Sequence, residues 1–195
     1  SDITLDDIQI AINAEALNHS AKTVRNIHGL LSAVMGTYRP SLSLKTDLPK
    51  PTRPELYIPS DAEIKILLKY LSGNEMEIPV LLAAFGPMRR GEICALCYED
   101  IHGNTIHVHA ALAQDENKQW VIKPPKTFSS DRYIEFPEFI IEKIGKGTGQ
   151  IVQMSPNALS SRFYHILKNA GLPHFRFHDL RHYSASIQHA LGIPD

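Results

Sequence analysis

Three short runs of this chain hold side chains suited to gripping an anion and moving a proton. In Phe85-Gly-Pro-Met-Arg-Arg-Gly-Glu-Ile-Cys-Ala-Leu96, two arginines and a glutamate open a helix directly after a strongly apolar stretch. Guanidinium groups arriving off a core helix are costly to hold unless they pair or bind an anion. In His178-Asp-Leu-Arg181, a histidine and an arginine stand three apart on one helix face, where both can reach one ligand. In Lys123-Pro-Pro-Lys-Thr-Phe-Ser-Ser-Asp-Arg132, a turn between two strands carries Lys126. Taken singly, each run has an ordinary reading. These are an exposed arginine pair with Glu92 as surface partner, a charged first helical turn, and a solvated hairpin lysine.

The elements that must position these runs are legible from periodicity and caps. Thr4 to Ala16 spaces Leu5, Ile8, Ile12 and Leu17 as an amphipathic helix behind a Thr4–Asp7 capping box. A second helix runs from about Ser20 to Gly36. Pro40, Pro49, Pro51, Pro54 and Pro59 then forbid helix and mark an extended linker over 40–59. Helix resumes at the Ser60–Glu63 capping box, followed by an apolar helix over Ile78–Phe85 and a third over Arg90–Leu96. Thr105–Ala113, Gln119–Lys123 and Arg132–Phe136 read as three short strands of one antiparallel meander. Helices return at Pro137–Ile144, Pro156–Ala170 and His178 to about Leu191. The order predicts an α+β fold, mainly helical, with a small antiparallel sheet.

The 195 residues are 43% hydrophobic and 21% charged, a composition able to bury a core. No apolar run approaches the ~18–20 residues of a membrane span and no apolar leader opens the chain, so a soluble cytoplasmic setting is expected. Cys94 and Cys97 stand too close to staple a secreted fold, which fits a reducing compartment. Net charge is only −1, but it is unevenly spread. Residues 1–117 carry 10 Lys and Arg against 15 Asp and Glu, whereas 118–181 carry 10 against 5. The second stretch offers a basic surface to phosphates.

In their order along the chain, Gly-x-Met-Arg-x-Gly-Glu, a Lys-Thr hairpin and His-x-Leu-Arg resemble the tyrosine recombinase (phage integrase) family. Arg-Arg-Gly-Glu-Ile-Cys-Ala-Leu followed by Glu-Asp-Ile extends the likeness, as does His-Asp-Leu-Arg-His before a small-residue helix. Lys22-Thr-Val-Arg-Asn-Ile-His28 is similar to the end of that family's core-binding domain. The resemblance implies three regions: part of a helical core-binding domain over 1–39, the linker over 40–59, and a catalytic domain over 60–195. It implies that Arg89 and Arg181 clamp the non-bridging oxygens of a scissile DNA phosphate and offset charge in the transition state. Lys126 would protonate the departing 5′ oxygen, and His178 would assist proton transfer. Glu92 would support Arg89 rather than react.

The family's second histidine box and nucleophilic tyrosine would follow beyond Asp195, so cleavage by these 195 residues alone is not expected. The implied function is site-specific cutting and rejoining of DNA through a 3′-phosphotyrosine link, for integration or excision of a phage or mobile element. No cofactor is implied, because the covalent bond stores the energy. The implied partners are double-stranded recombination sites and, on DNA, further copies forming a tetramer. Lys22, Arg25, Lys123, Arg132 and Arg162 are candidate backbone contacts. Two other classes stay open: a non-catalytic DNA-binding relative, and a metal-binding regulatory domain using Cys94-x-x-Cys97 with His102, His107 and His109.

Overall fold

The structure, a computed structural model, describes residues 3–41, 44–51, 56–124 and 130–190. The chain divides into two compact units, residues 1–56 and 57–195. In the first, helix α1 (Leu5–Asn18) starts on a reciprocal cap. Thr4 Oγ1 accepts from the Asp7 N–H, and Asp7 Oδ2 accepts from the Thr4 N–H at 2.9 Å. Helix α2 (Ala21–Tyr38) begins at Ser20, whose Oγ accepts from the Thr23 N–H. The pair buries Ile8, Ile12, Val24 and Met35, with Leu44 and Leu48 packed alongside. Part of the proline-rich stretch is therefore built into this small core. Gln9 exchanges two hydrogen bonds with the Asp47 backbone, and Arg25 donates to the Pro49 carbonyl.

The second unit is organised around one apolar helix. Helix α3 (Asp61–Leu71) opens on the Ser60–Glu63 capping box and turns Ile64, Leu67 and Leu71 inward. Helix α4 (Glu77–Phe85) buries Pro79 and everything from Val80 to Ala84. Pro79 is tolerated because it lies in the first turn, where N–H groups have no intrahelical partner. Glu77, also buried, accepts from the Gly73 N–H at 2.8 Å and from Lys143 Nζ at 2.5 Å. After a bend at residues 86–89 comes helix α5 (Arg90–Ala95), and later α6 (Glu138–Ile144), α7 (Pro156–Asn169) and α8 (Asp179–Ala190). Helix α8 packs against α4, and α7 against α5.

The strands depart from the single meander that the sequence predicts. The run over Thr105–Ala113 is two strands, β2 (Thr105–Val108) and β3 (Ala111–Gln114), parted at residues 109–110. With β1 (Ile101–His102), β4 (Trp120–Lys123) and β5 (Arg132–Glu135) they form two sheets, ordered β1-β2-β5 and β3-β4. Strand β5 returns to β2, antiparallel, with Thr105 opposite Glu135 and Val108 opposite Arg132. Burial explains the split. Ile106, Val108 and Ile134 press one face of the three-stranded sheet into the core, whereas no residue of β3 or β4 is fully buried. The β3–β4 hairpin lies instead against α5.

Two glycines of the first run are fixed by close approach. A Cβ on Gly86 would stand 2.2 Å from Phe136 Cζ, and one on Gly91 would stand 2.9 Å from the Leu112 carbonyl oxygen. Gly86→Ala must displace a buried ring and should cost about 1–3 kcal/mol. Urea unfolding should show it as a lower midpoint at unchanged slope.

Candidate active site

The bend after α4 places Pro87 and Arg89 where three elements meet. Arg89 precedes α5 with its side chain half exposed, and its Nη1 donates to Glu92 Oε1 at 2.7 Å. Glu92 itself is buried, and its Oε2 accepts from the Arg89 N–H at 2.8 Å. From β5, Arg132 forks onto the same carboxylate, Nη2 to Oε2 at 2.8 Å and Nη1 to Oε1 at 3.2 Å. Arg132 Nη2 also donates to the Pro87 carbonyl at 3.1 Å, and Arg181 of α8 donates to that carbonyl too. One carboxylate and one carbonyl thus hold three guanidinium groups from three parts of the chain.

The electrostatics favour an incoming anion. Burial, and then the positive charges of Arg89 and Arg132, push the Arg181 pKa below its ordinary value, while Glu92 opposes them. An arginine stays charged under such pressure, so the repulsion persists. Three guanidinium charges beside one carboxylate, only two of them bonded to it, leave a net positive site, and an oxyanion relieves it through charge-assisted hydrogen bonds. Burial raises the Glu92 carboxyl, but the bonds from Arg132 and from the Arg89 backbone and side chain outweigh it. Glu92 therefore stays ionised below the usual carboxylate range.

His178 stands just before α8 and is largely exposed. What burial it has, and then the charges of His182, Arg181 and Arg176, lower its pKa, with Asp179 acting the other way. The imidazole is therefore neutral at neutral pH and can accept a proton. The turn carrying it is pinned by buried Asp179, whose carboxylate takes the Arg176 N–H and Arg176 Nη2, both at 2.7 Å.

Arg89, Arg90, Ser160, Arg176 and His178 line a cleft of about 670 Å³. Pro87, Asn104, Arg132, Arg181 and Gln188 line another of about 960 Å³. The structure brings Arg89, Glu92 and Arg181 together with Arg132 between them, and puts His178 on the cleft that Arg89 shares. Lys126 lies outside the described residues.

Arg132, read from the sequence as a backbone contact, is instead drawn inward by Glu92 and the Pro87 carbonyl. Lys22 is exposed on α2, and Arg25 is exposed but engaged with the Pro49 carbonyl. Lys123 Nζ donates to the Gln114 carbonyl at 3.2 Å, and Arg162 pairs with Glu75. Tyr183 is buried, and its hydroxyl donates to Asp61 Oδ1 at 2.9 Å. Burial and that bond push its pKa up to about 12, so it is a strut between α8 and α3.

The metal-binding alternative gains nothing from the geometry. Cys94 is buried, and burial pushes its thiol up to about 12. His107 Nε2 is bonded to Asp131 and His109 Nε2 to Asp100, each at 2.9 Å. Among the described residues no group of three or more His, Cys, Asp or Glu side chains could hold a metal ion. Among them, too, no helix is long and apolar enough to cross a membrane.

No protein-family profile matches the chain. The prophage phiRv2 integrase of Mycobacterium tuberculosis (strain H37Rv) is 30% identical over 132 residues, 58% of this chain. The match covers 35% of that protein, so the chain spans about a third of this relative's length. Among solved structures, the Tn1549 transposon integrase in complex with a circular intermediate DNA superposes with a TM-score of 0.78 at 18% identity. That likeness covers 99% of this chain and 75% of the integrase chain. A lambda integrase dimer bound to a core site gives a TM-score of 0.72 at 17% identity, over 97% of this chain and 58% of the other. A lambda integrase tetramer on a Holliday junction gives 0.67 at 19% identity, over 100% and 65%. The fold is that of these integrases, as the ordered motifs imply.

Proposed function

We propose that this chain supplies the phosphate-clamping domain of a site-specific tyrosine recombinase, cutting and rejoining double-stranded DNA during integration or excision of a phage or mobile element. The observation that carries the reading is the cluster of Arg89, Arg132 and Arg181 around Glu92 and the Pro87 carbonyl, with neutral His178 on the adjoining cleft. The DNA-bound integrases of the same fold support it.

In this reading Arg89 and Arg181 hold the two non-bridging oxygens of the scissile phosphate. A tyrosine oxygen attacks phosphorus, the bond to the 5′ oxygen breaks, and Lys126 delivers the proton that the leaving oxygen needs. His178 takes or passes the proton of the attacking hydroxyl. The 3′-phosphotyrosyl bond conserves the phosphodiester energy, so a 5′-hydroxyl of the partner strand reverses the step without nucleotide or metal. We place the attacking tyrosine outside these 195 residues: Tyr183, which follows the His178–Arg181 motif, is buried and committed to Asp61, and none of the other six tyrosines stands in the sequence context of the family's nucleophile. The chain alone should then bind DNA without forming an adduct.

Residues 1–39 would belong to a core-binding domain joined by the 40–59 linker, and four copies would assemble on DNA in the bacterial or phage-infected cytoplasm. Lys22, Arg25, Lys123 and Arg162 would add backbone contacts. Affinity should then rest on phosphates and fall with salt, log K dropping by roughly 0.9 for each phosphate neutralised per decade of salt. Duplex titrations of this chain at two salt concentrations test this. Equal affinities would contradict it.

A further inference from the structure

Arg132 is the most heavily bonded guanidinium at the site, yet nothing in the proposed chemistry needs it to touch the phosphate. It makes four hydrogen bonds, two to the Glu92 carboxylate, one to the Pro87 carbonyl and one to the Ser130 carbonyl. Its side chain is 22% exposed, against 51% for that of Arg89. It reaches the site from β5, opposite Val108 in the register with β2, so the rigid three-stranded sheet fixes where its fork points. Both groups it grips hold another arginine: Glu92 holds Arg89, and the Pro87 carbonyl accepts from Arg181.

We infer that Arg132 is a positioning residue, a keystone that fixes Arg89 through Glu92 and Arg181 through the Pro87 carbonyl so that both face one phosphate. The inference rests on the recombinase reading for its phosphate. The keystone itself is a matter of bonding, and the two can fail separately. Glu92 is buried, and without the Arg132 fork it would keep only the Arg89 N–H and Nη1 as partners against that burial, so its carboxyl pKa would rise from its lowered native position. Without Arg132, its hold on Arg89 would therefore depend on pH. Ionised, Glu92 still accepts from Arg89; protonated, it loses the charge that holds the guanidinium. The activity of an Arg132→Gln protein should accordingly fall as pH drops through the raised carboxyl pKa, a limb the native protein lacks in that range.

The experiment compares native protein, Arg132→Gln, Arg132→Lys, Glu92→Gln and the double Arg132→Gln/Glu92→Gln. Covalent adduct formation by the full-length protein on a nicked duplex is followed against pH, beside duplex affinity. The Glu92 carboxyl is titrated by carbon NMR in this 195-residue chain. Arg132→Gln should slow adduct formation by on the order of 10–100-fold, as losses of such supporting partners do, with duplex affinity changed less than about threefold since other phosphate contacts remain. Arg132→Lys, which keeps the charge without the fork, should recover part of the rate.

The acid limb should appear in Arg132→Gln and vanish in the double variant, whose site has no carboxyl to titrate. The double variant should also be no slower than the slower single variant. A Glu92 titration unmoved by Arg132→Gln would overturn the inference whatever the enzyme does, as would a native-like rate or fully additive losses. If Arg132→Gln does not fold, Arg132→Lys carries the same comparison, and a native rate and Glu92 titration there would overturn it equally. Absence of any adduct from the native full-length protein would instead sink the recombinase reading, while the titration still decides the keystone.

Discussion

Replacing Arg181 with alanine should slow covalent adduct formation by the full-length protein by about 10²–10³-fold, the loss seen when one preorganised donor to a developing oxyanion is removed. The size follows from where the group sits. Arg181 is half-buried on α8, its guanidinium held by the Pro87 carbonyl and pressed by Arg89 and Arg132. A charge already fixed in place needs no reorganisation when the pentacoordinate phosphorus gains negative charge. Duplex affinity should fall far less, because phosphate contacts elsewhere position the DNA. The measurement is a single-turnover time course beside a binding titration at the same salt. Parallel losses in both would mean that Arg181 serves ground-state binding only.

Phe163→Ala should cost the fold about 3–5 kcal/mol, the range for emptying a large buried aromatic site. Phe163, on α7, is 1% exposed and meets two other rings edge-on, Phe175 with centroids at 5.5 Å and Phe177 at 5.3 Å. Such pairs add to the plain burial of area. Phe175 and Phe177 lie in the segment that leads to His178, so the aromatic cluster anchors the histidine as well as the core. Denaturant titration should show a much lower midpoint with the slope kept, and, on the recombinase reading, adduct formation by the full-length variant should fall even under conditions where it stays folded. A loss below about 1 kcal/mol would mean that the site collapses around the missing ring.

What the sequence discloses and what it hides divide along chain separation. The caps at Thr4, Ser20, Ser60 and Ser155 are local devices, made within three residues, and each starts its helix where the pattern places it. The apolar run of α4 and the first run's motif are equally local. The sheet is different. The stretch from Thr105 to Ala113 looks continuous by alternation, yet it parts at residues 109–110: Ile106 and Val108 of its first half are fully buried, whereas in its second half Leu112 is only partly buried against the core. Pairing of β5 with β2 across the intervening hairpin is decided by burial of Ile106, Val108 and Ile134, which no window of neighbours reveals.

The same holds at the site. Arg89, His178 and Arg181 stand in motifs that name them, but Arg132 looks like any basic residue after a loop. Its bond to Glu92 spans 40 positions, and its other anchor is a backbone carbonyl with no side-chain signature. A faint signal existed in its place at the head of a strand returning to the motif helix. Only the β2–β5 register turns that place into a contact.

The most direct measurement is the chemistry of the trapped link. The full-length protein, incubated with a duplex nicked near its recombination site, should retain a covalent DNA strand. Digestion and mass spectrometry should then find a phosphotyrosine joined to a 3′ end, at a tyrosine outside residues 1–195. A 5′ linkage, an attachment through serine, an adduct at Tyr183 or another of the seven tyrosines in this chain, or no adduct at all would contradict the account.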